Sequence, residues 1–205
     1  PANFFHCDDF DTNNQKEVYL LIHRNDSLLL QVIEPLTHRI ITCDQFLTTF
    51  DRFNGETDFS VQEMTLSDLN NDGNKELIVV LFCGFTVTTR KIVTYNIRRN
   101  LLNHSPVAGI SLTGNLRLYD INGDSKKDLF GYFGVYGNCN GIFNNYPLND
   151  SSAWLVVNKN DLTWLFDPVI IGKYPANVTT APLKSNGSSS IAYYYEFCGN
   201  SGDTS

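Results

Sequence analysis

Three segments of this chain carry oxygen-bearing side chains at one spacing: Asp9-Phe-Asp11-Thr-Asn13-Asn-Gln15-Lys-Glu17, Asp68-Leu-Asn70-Asn-Asp72-Gly-Asn74-Lys-Glu76 and Asp120-Ile-Asn122-Gly-Asp124-Ser-Lys126-Lys-Asp128. With the first aspartate as position 1, side-chain oxygens recur at positions 1, 3, 5 and 9. Alternate side chains of a tight loop face one side, so the four groups are expected to converge on one small volume. Three carboxylates there repel one another unless a cation intervenes. A hard cation that accepts about six to eight oxygens suits such a set, and calcium tolerates irregular geometry better than magnesium. The main-chain carbonyl at position 7 (Gln15, Asn74, Lys126) is expected to add an oxygen, and water the rest. The expected ligands are Asp9, Asp11, Asn13, Gln15 and Glu17; Asp68, Asn70, Asp72, Asn74 and Glu76; and Asp120, Asn122, Asp124, Lys126 and Asp128, for up to three Ca2+ ions. Position 6 is Gly73 in the middle loop and Asn14 or Ser125 in the others. A left-handed turn there suits Gly, and Asn better than Ser.

An EF-hand loop has the same opening, but it runs to about twelve residues, ends in a bidentate Glu and lies between helices. Position 12 here is Leu20, Val79 or Gly131, none of which binds a metal through its side chain. The runs that follow (18–22, 77–82 and 129–133) are rich in β-branched and aromatic residues, which favour strands. The loops therefore belong to β-hairpins.

Position 1 recurs at residues 9, 68 and 120, steps of 59 and 52 residues. The run Pro182-Leu-Lys-Ser-Asn186-Gly-Ser-Ser-Ser-Ile191 fits the same frame without its acids, with Gly187 where Gly73 stands, so a hairpin without metal is expected there. Periods near 50 residues with several strands each point to propellers or arrays. Strands leading into the loops are expected at 3–7, 61–67, 115–119 and 177–181, and strands leaving them at 17–23, 76–82, 128–133 and 191–197. Third strands fit 28–33, 90–96 and 153–157, and fourth strands 39–43, 101–102 and 162–166. Residues 44–53 are the best candidate for one short helical turn. The expectation is an all-β chain of β-propeller-type blades, each of four antiparallel strands, with about three and a half blades in one repeat domain, 1–205. Its units run roughly 1–58, 59–112, 113–174 and 175–205, the last incomplete. An incomplete stack has unpaired edges that invite another chain.

The pattern Asp-x-Asn-x-Asp-(Gly)-x-x-Glu/Asp-Leu entering a strand resembles the FG-GAP/VCBS repeat family, found in integrin α-chain heads and fungal lectin propellers. Three clear copies and one degenerate copy span nearly the whole chain. The resemblance implies calcium in hairpin loops of a β-propeller, with ligands at Asp9, Asp11, Asn13 and Glu17 and their equivalents. The chain departs from the family in lacking clear Phe-Gly/Gly-Ala-Pro segments; Cys83-Gly84-Phe85 and Phe133-Gly134 are only echoes. Family propellers also have about twice as many blades.

At 205 residues and 42% hydrophobic, the chain is long enough to bury a sizeable core. Its net charge is −7, and without the nine loop acids the remainder carries +2, so the acidity belongs to the loops. An acidic chain without basic clusters argues against nucleic acid, with Arg98-Arg99 and Lys126-Lys127 read as isolated solvated pairs. No apolar run is long enough for a membrane-spanning helix. The sequence opens Pro1-Ala2-Asn3, without Met or signal sequence, which fits a processed secreted protein, an expression product or a part of one. Glycosylation sequons at Asn25, Asn103, Asn149, Asn177 and Asn186 support an extracellular setting.

The five cysteines (Cys7, Cys43, Cys83, Cys139, Cys198) lack zinc-binding spacing. In an oxidising compartment two disulfides and one remaining thiol are expected, and a bond among Cys83, Cys139 and Cys198 would tie neighbouring units. His6, His23, His38 and His104 show neither metal spacing nor a nucleophile elbow, so the chain is not expected to be an enzyme. The Gly- and Asn-rich insertion 131–152 places Tyr132, Tyr136, Phe143 and Tyr146 where they could stack on a sugar or fill space between units. The expected function is a secreted calcium-binding glycoprotein that works as a structural or adhesive module. Its expected partners are other copies of itself or another extracellular protein, engaged through exposed blade edges. Two alternatives are a lectin-like propeller that binds glycans and an accessory region of a larger extracellular enzyme.

Overall fold

The computed structural model describes residues 2–9, 13–25, 27–49, 52–53, 56–57, 59–83, 91–104, 116–134, 141–143, 146–148, 152–167, 169–173, 176–185 and 188–197. These residues are all-β, with no helix among them, so none is long and apolar enough to cross a membrane. The first sheet runs β1 (Ala2–Asp8), β2 (Glu17–Arg24), β3 (Ser27–Glu34) and β4 (Arg39–Thr49), each paired with the next. A short pair, β5 (Arg52–Phe53) and β6 (Glu56–Thr57), leads to the second sheet. That sheet repeats the meander with β7 (Phe59–Ser67), β8 (Glu76–Cys83), β9 (Lys91–Asn96) and β10 (Leu101–His104). The third sheet joins β11 (Arg117–Tyr119), β12 (Asp128–Gly134), β15 (Ser152–Asn158) and β16 (Val169–Lys173). A hairpin of β13 (Gly141–Phe143) and β14 (Tyr146–Leu148) is inserted between its second and third strands. A two-stranded pair, β17 (Ala176–Ser185) and β18 (Ser188–Phe197), ends the described chain. Among the described residues all pairings are antiparallel, and no sheet closes on itself.

Burial shows how the sheets stack. Along β2 buried and half-buried residues alternate, the mark of a sheet with one covered face. Along β8 every residue from Leu77 to Leu81 is at most 1% exposed, so the second sheet is covered on both faces. Its Leu77, Val79, Leu81, Val93 and Tyr95 share one cluster with Tyr19, Leu21, Leu28, Leu30, Val32 and Leu47 of the first sheet. The third sheet is tied to the second from the other side. Lys127 N donates to the Leu69 carbonyl (2.7 Å), and Leu116 N donates to Glu63 Oε2 (3.2 Å).

Two local expectations are overturned. Residues 44–49 are the second half of β4, not a helical turn. Pairing of Leu28 with Thr48 and of Leu29 with Phe46 supplies ladder bonds that an isolated turn would lack, and bulges there absorb the irregular spacing. Residues 162–166 do not form the fourth strand of the third sheet, which is Val169–Lys173. Asp161 instead accepts from the N–H (3.0 Å) and hydroxyl (2.6 Å) of Thr163, and the chain turns at Leu162, with φ of 67°. Leu162 is fully buried, which holds it in that left-handed conformation, and only Trp164 bridges back, to Asn158.

Leu30 is at 0% exposure within the cluster shared by two sheets. Leu30→Ala should lower the unfolding free energy by about 2–5 kcal/mol, measured by urea denaturation. A change below about 1 kcal/mol would contradict this packing.

Candidate metal centres

Each acidic loop is closed at the same register. Asp8 pairs with Glu17, Ser67 with Glu76 and Tyr119 with Asp128, so position 0 always faces position 9. Inside that closure the three loops share one hydrogen-bond frame. The position-1 carboxylate accepts the N–H of position 5 on one oxygen and of position 6 on the other. The distances are 3.1 and 2.9 Å in all three loops, for Asp9, Asp68 and Asp120. Position 5 then accepts the N–H of position 7: Asn13 from Gln15 (2.7 Å), Asp72 from Asn74 (2.8 Å) and Asp124 from Lys126 (2.9 Å). Position 3 accepts the N–H of position 5 in two loops: Asn70 from Asp72 (3.0 Å) and Asn122 from Asp124 (2.9 Å). These are successive Asx turns, the local bonds by which Asp and Asn displace regular structure.

The backbone conformation follows from the frame. Position 6 is left-handed in each loop (Asn14 φ 65°, Gly73 φ 83°, Ser125 φ 67°), as its residue types suggested. Position 4 is also left-handed (Asn71 φ 59°, Gly123 φ 79°), which the sequence reading missed. The signal was present in the Asn and Gly at that position. Left-handed residues alternating with right-handed ones turn consecutive N–H groups inward into an anion nest, and the position-1 carboxylate fills it.

Position 9 differs from the rest because it is buried: Glu17 is 1% exposed, Glu76 6% and Asp128 1%. Glu76 Oε2 accepts the N–H of Leu69 (2.9 Å), and Oε1 accepts the amide of Asn96 (2.7 Å). Asp128 Oδ2 accepts the N–H of Ile121 (2.9 Å), so position 9 caps position 2 in both loops. Burial pushes the Glu76 carboxyl up, and the charges of Asp72 and Asp68 add to the rise against the Leu69 and Asn96 bonds. Asp128 is raised in the same way, by burial first and then by Asp124 and Asp120. The acids at positions 1, 5 and 9 thus sense one another. Asp72 is lowered, chiefly by the Asn74 N–H, with Arg99 Nη2 2.8 Å from its Oδ2.

Lysines at position 8 link each loop to the one before it. Lys75 donates to Asp8, and Lys127 Nζ donates to Ser67 Oγ (2.8 Å); both acceptors are position 0 of the preceding unit. Burial alone would raise the Asp8 carboxyl, but the Lys75 bond, the Asp9 N–H and the Lys75 charge hold it below the usual range. Lys127 and Arg99 are therefore engaged in contacts, not merely solvated. The loops line up along one end of the stack. A cleft of about 350 Å³ lies between the second and third loops, lined by Asp68, Asn71, Asp120, Ser125, Lys126 and Lys127 among others. A smaller one of about 60 Å³ lies between the first and second, touching Asp9, Gly73, Asn74 and Lys75.

The donor chemistry, all hard oxygen, suits a hard cation. The side-chain oxygens at positions 1, 3 and 5 are turned to backbone N–H groups, and no set of three His, Cys, Asp or Glu side chains gathers at ligating distance among the described residues. Asp11 lies outside those residues. In the fourth unit the ladder continues through Pro182↔Ile191 to Ser185↔Ser188, so strands stand where the other units have a nine-residue loop.

Among the other expected sites, Asn25 is exposed in a turn with φ of 55°, Asn103 lies half-buried in β10, and Asn177 belongs to β17. Asn149 and Asn186 lie outside the described residues, as does Tyr136. Tyr132 sits in β12, and Phe143 pairs with Tyr146 across the inserted hairpin. Cys7 is a free, exposed thiol. Comparison with protein-family models, curated proteins and solved structures finds no match.

Gly73 and Gly123 have left-handed backbones with open space where a Cβ would stand. Gly73→Ala and Gly123→Ala should each cost about 1–2 kcal/mol through backbone strain alone, while Ser125→Gly should gain up to about 1 kcal/mol, all by thermal melting.

A raised carboxyl pKa means that the folded state holds its proton more tightly than the unfolded one. Its contribution is then most favourable at acid pH, and it declines as pH rises from the ordinary value of 4.5 through the raised one. In chelator, Glu76→Gln should therefore flatten the fall in melting temperature across that window relative to the unmodified chain. Parallel pH profiles for the two would contradict the burial of this charge.

Proposed function

We propose that the chain is a calcium-stabilised β-propeller-type repeat module of the extracellular space, working by binding or assembly and not by catalysis. The observation that carries the reading is the recurrence of one loop frame in three places, each closed by a buried acid at position 9, of which Glu76 and Asp128 are raised by burial and then by the acids at positions 5 and 1. Asp68, Asn70, Asp72 and Glu76, with their equivalents, would hold the ion. A bound calcium would supply a compensating charge of +2 to each group of acids. The chain's own part is to present the oxygens on a backbone already bent by its left-handed residues and closed by the position-9 cap. Binding would exchange some of the internal N–H bonds for metal bonds, and its free energy would become folding free energy. The resemblance to FG-GAP/VCBS repeats and the sequons support the extracellular setting.

The lectin-like reading draws on a different place. A cleft of about 220 Å³ is lined by Asn70, Asn96, Arg99, Asn103, Asn160 and Asp161 among others. Thr94, which also lines it, is 1% exposed, and its Oγ1 has no partner. Amides, a guanidinium and a free hydroxyl suit a small polyhydroxylated ligand. Binding on a glycan array that Thr94→Val abolishes would favour this reading over a purely structural role.

Calcium at a hundredfold excess over its dissociation constant should stabilise each occupied site by about 2.7 kcal/mol. Chelator should accordingly lower the melting temperature, and Asp72→Ala should remove one equivalent of calcium in a titration. A melting temperature indifferent to both calcium and chelator would end the proposal.

A further inference from the structure

One of the sequons opens into a cavity. Asn103 lies in β10 and pairs across the ladder with Thr94 of β9, so the two side chains leave the sheet on the same face. Both line the cleft of about 220 Å³, together with Leu101 and with Asn160 of the turn after β15. Thr94 is 1% exposed, yet its Oγ1 has no partner, and a buried hydroxyl is costly to leave unbonded. A water takes up about 30 Å³, so the cleft has far more room than one bridging water needs. The charged groups around it are already engaged. Glu76 accepts from Leu69 and Asn96, Arg99 pairs with Asp72, and Asp161 accepts from Thr163. What the cleft still offers is uncharged: amides, one hydroxyl and the side chain of Leu101, 52% exposed. That set suits a neutral sugar ring, whose hydroxyls both donate and accept and whose C–H groups are apolar.

We propose that Asn103 is glycosylated and that the first sugar of its glycan, an N-acetylglucosamine, is seated in this cleft against Thr94. The inference rests on the extracellular part of the proposed function, and it gives the cleft an occupant carried by the chain itself in place of a free ligand. Asn103-His-Ser105 supplies the acceptor pattern. In the transfer the side-chain nitrogen of Asn103 bonds to C1 of the sugar while the bond from C1 to a lipid pyrophosphate breaks. The pyrophosphate leaves with the electron pair, and the amide proton goes to a base of the transferring enzyme. A sugar fixed at Asn103 begins beside Thr94, because directly paired residues hold their Cβ atoms about 5 Å apart. Its hydroxyls can bond Thr94 Oγ1 and the Asn160 amide, and its apolar groups can lie on Leu101. The covalent tether raises the sugar's effective concentration in the cleft, so contacts too weak to hold a free sugar suffice. Asn103 belongs to the second sheet and Asn160 follows β15 of the third, so a seated sugar bridges the two sheets.

Secretion from a eukaryotic host tests this, with the glycans trimmed by an endoglycosidase to a single N-acetylglucosamine and occupancy read by peptide mass spectrometry. Asn103 should carry that sugar. The trimmed chain should melt about 2–4 °C above its Ser105→Ala variant, which keeps Asn103 but destroys the sequon. Thr94→Val should remove most of that gain. In chain made in bacteria, without the sugar, Thr94→Val should leave melting unchanged or slightly raised, since there it replaces an unpartnered hydroxyl. Ser105→Ala should not shift the bacterial chain either, which separates loss of the sugar from loss of the serine. An Asn103 that stays bare while Asn25 is occupied would overturn the inference and leave the extracellular reading intact; glycan-array binding that needs Thr94 would then return the cleft to a free ligand. Equal melting of the trimmed chain and its Ser105→Ala variant, or a gain that survives Thr94→Val, would also overturn it. A secreted chain with every sequon bare would sink both this inference and the extracellular reading.

Discussion

A buried carboxylate closes each acidic loop, and the rest of the structure is set by where it sits. An ionised group out of water is tolerable only when its oxygens are bonded. Glu76 meets this through the Leu69 N–H and the Asn96 amide, and Asp128 through the Ile121 N–H. Those partners exist only when the loop is complete and position 0 faces position 9. A slip of one residue would turn the carboxylate to the other face and carry Tyr19, Ile78 or Phe130 out of the core with it. Loop closure and strand register are thus one constraint.

From that register the stack follows. Side chains alternate across each sheet, so a buried apolar residue at every position from Leu77 to Leu81 of β8 implies neighbours on both sides, and the first and third sheets provide them. Apolar contact does not choose one alignment along the strands. The polar links do: Lys75 to Asp8 and Lys127 to Ser67 pin the loop end of each sheet to the loop end of the one before. The same links place the three loops side by side at one end, where their acids face solvent while position 9 stays inside. The acids that face solvent and the buried acid that closes the fold are separated by only a few residues of the same loop.

Much of this was legible in the chain itself. Spacing located the loops, the strand runs after them marked hairpins, and the repeat frame gave the order of strands in the first two sheets. Other parts were not legible, for identifiable reasons. The second half of β4 lacks a clean alternation, because bulges opposite Leu28–Val32 disturb it, and only the partner strand makes 44–49 extended. Leu162 reads as the start of a strand but is held in a left-handed turn by its burial and the neighbouring Asp161–Thr163 bonds. The lysines at position 8 look like surface charge until the preceding unit is brought beside them. Position 9 was expected as one ligand among several; its burial, and hence its capping role, depends on the sheet packed over it.

What the sequence by itself determined is local: Asp and Asn at alternate positions make Asx turns wherever they occur, and Gly or Asn between them permits the left-handed bends. The tertiary structure decided which of those acids is buried, which lysine meets which unit, and which of two apolar faces on the first sheet is left uncovered. Hydrogen bonds between neighbours in the chain are specified by spacing alone. Burial and charge pairing between residues some 60 positions apart depend on how separate sheets come together.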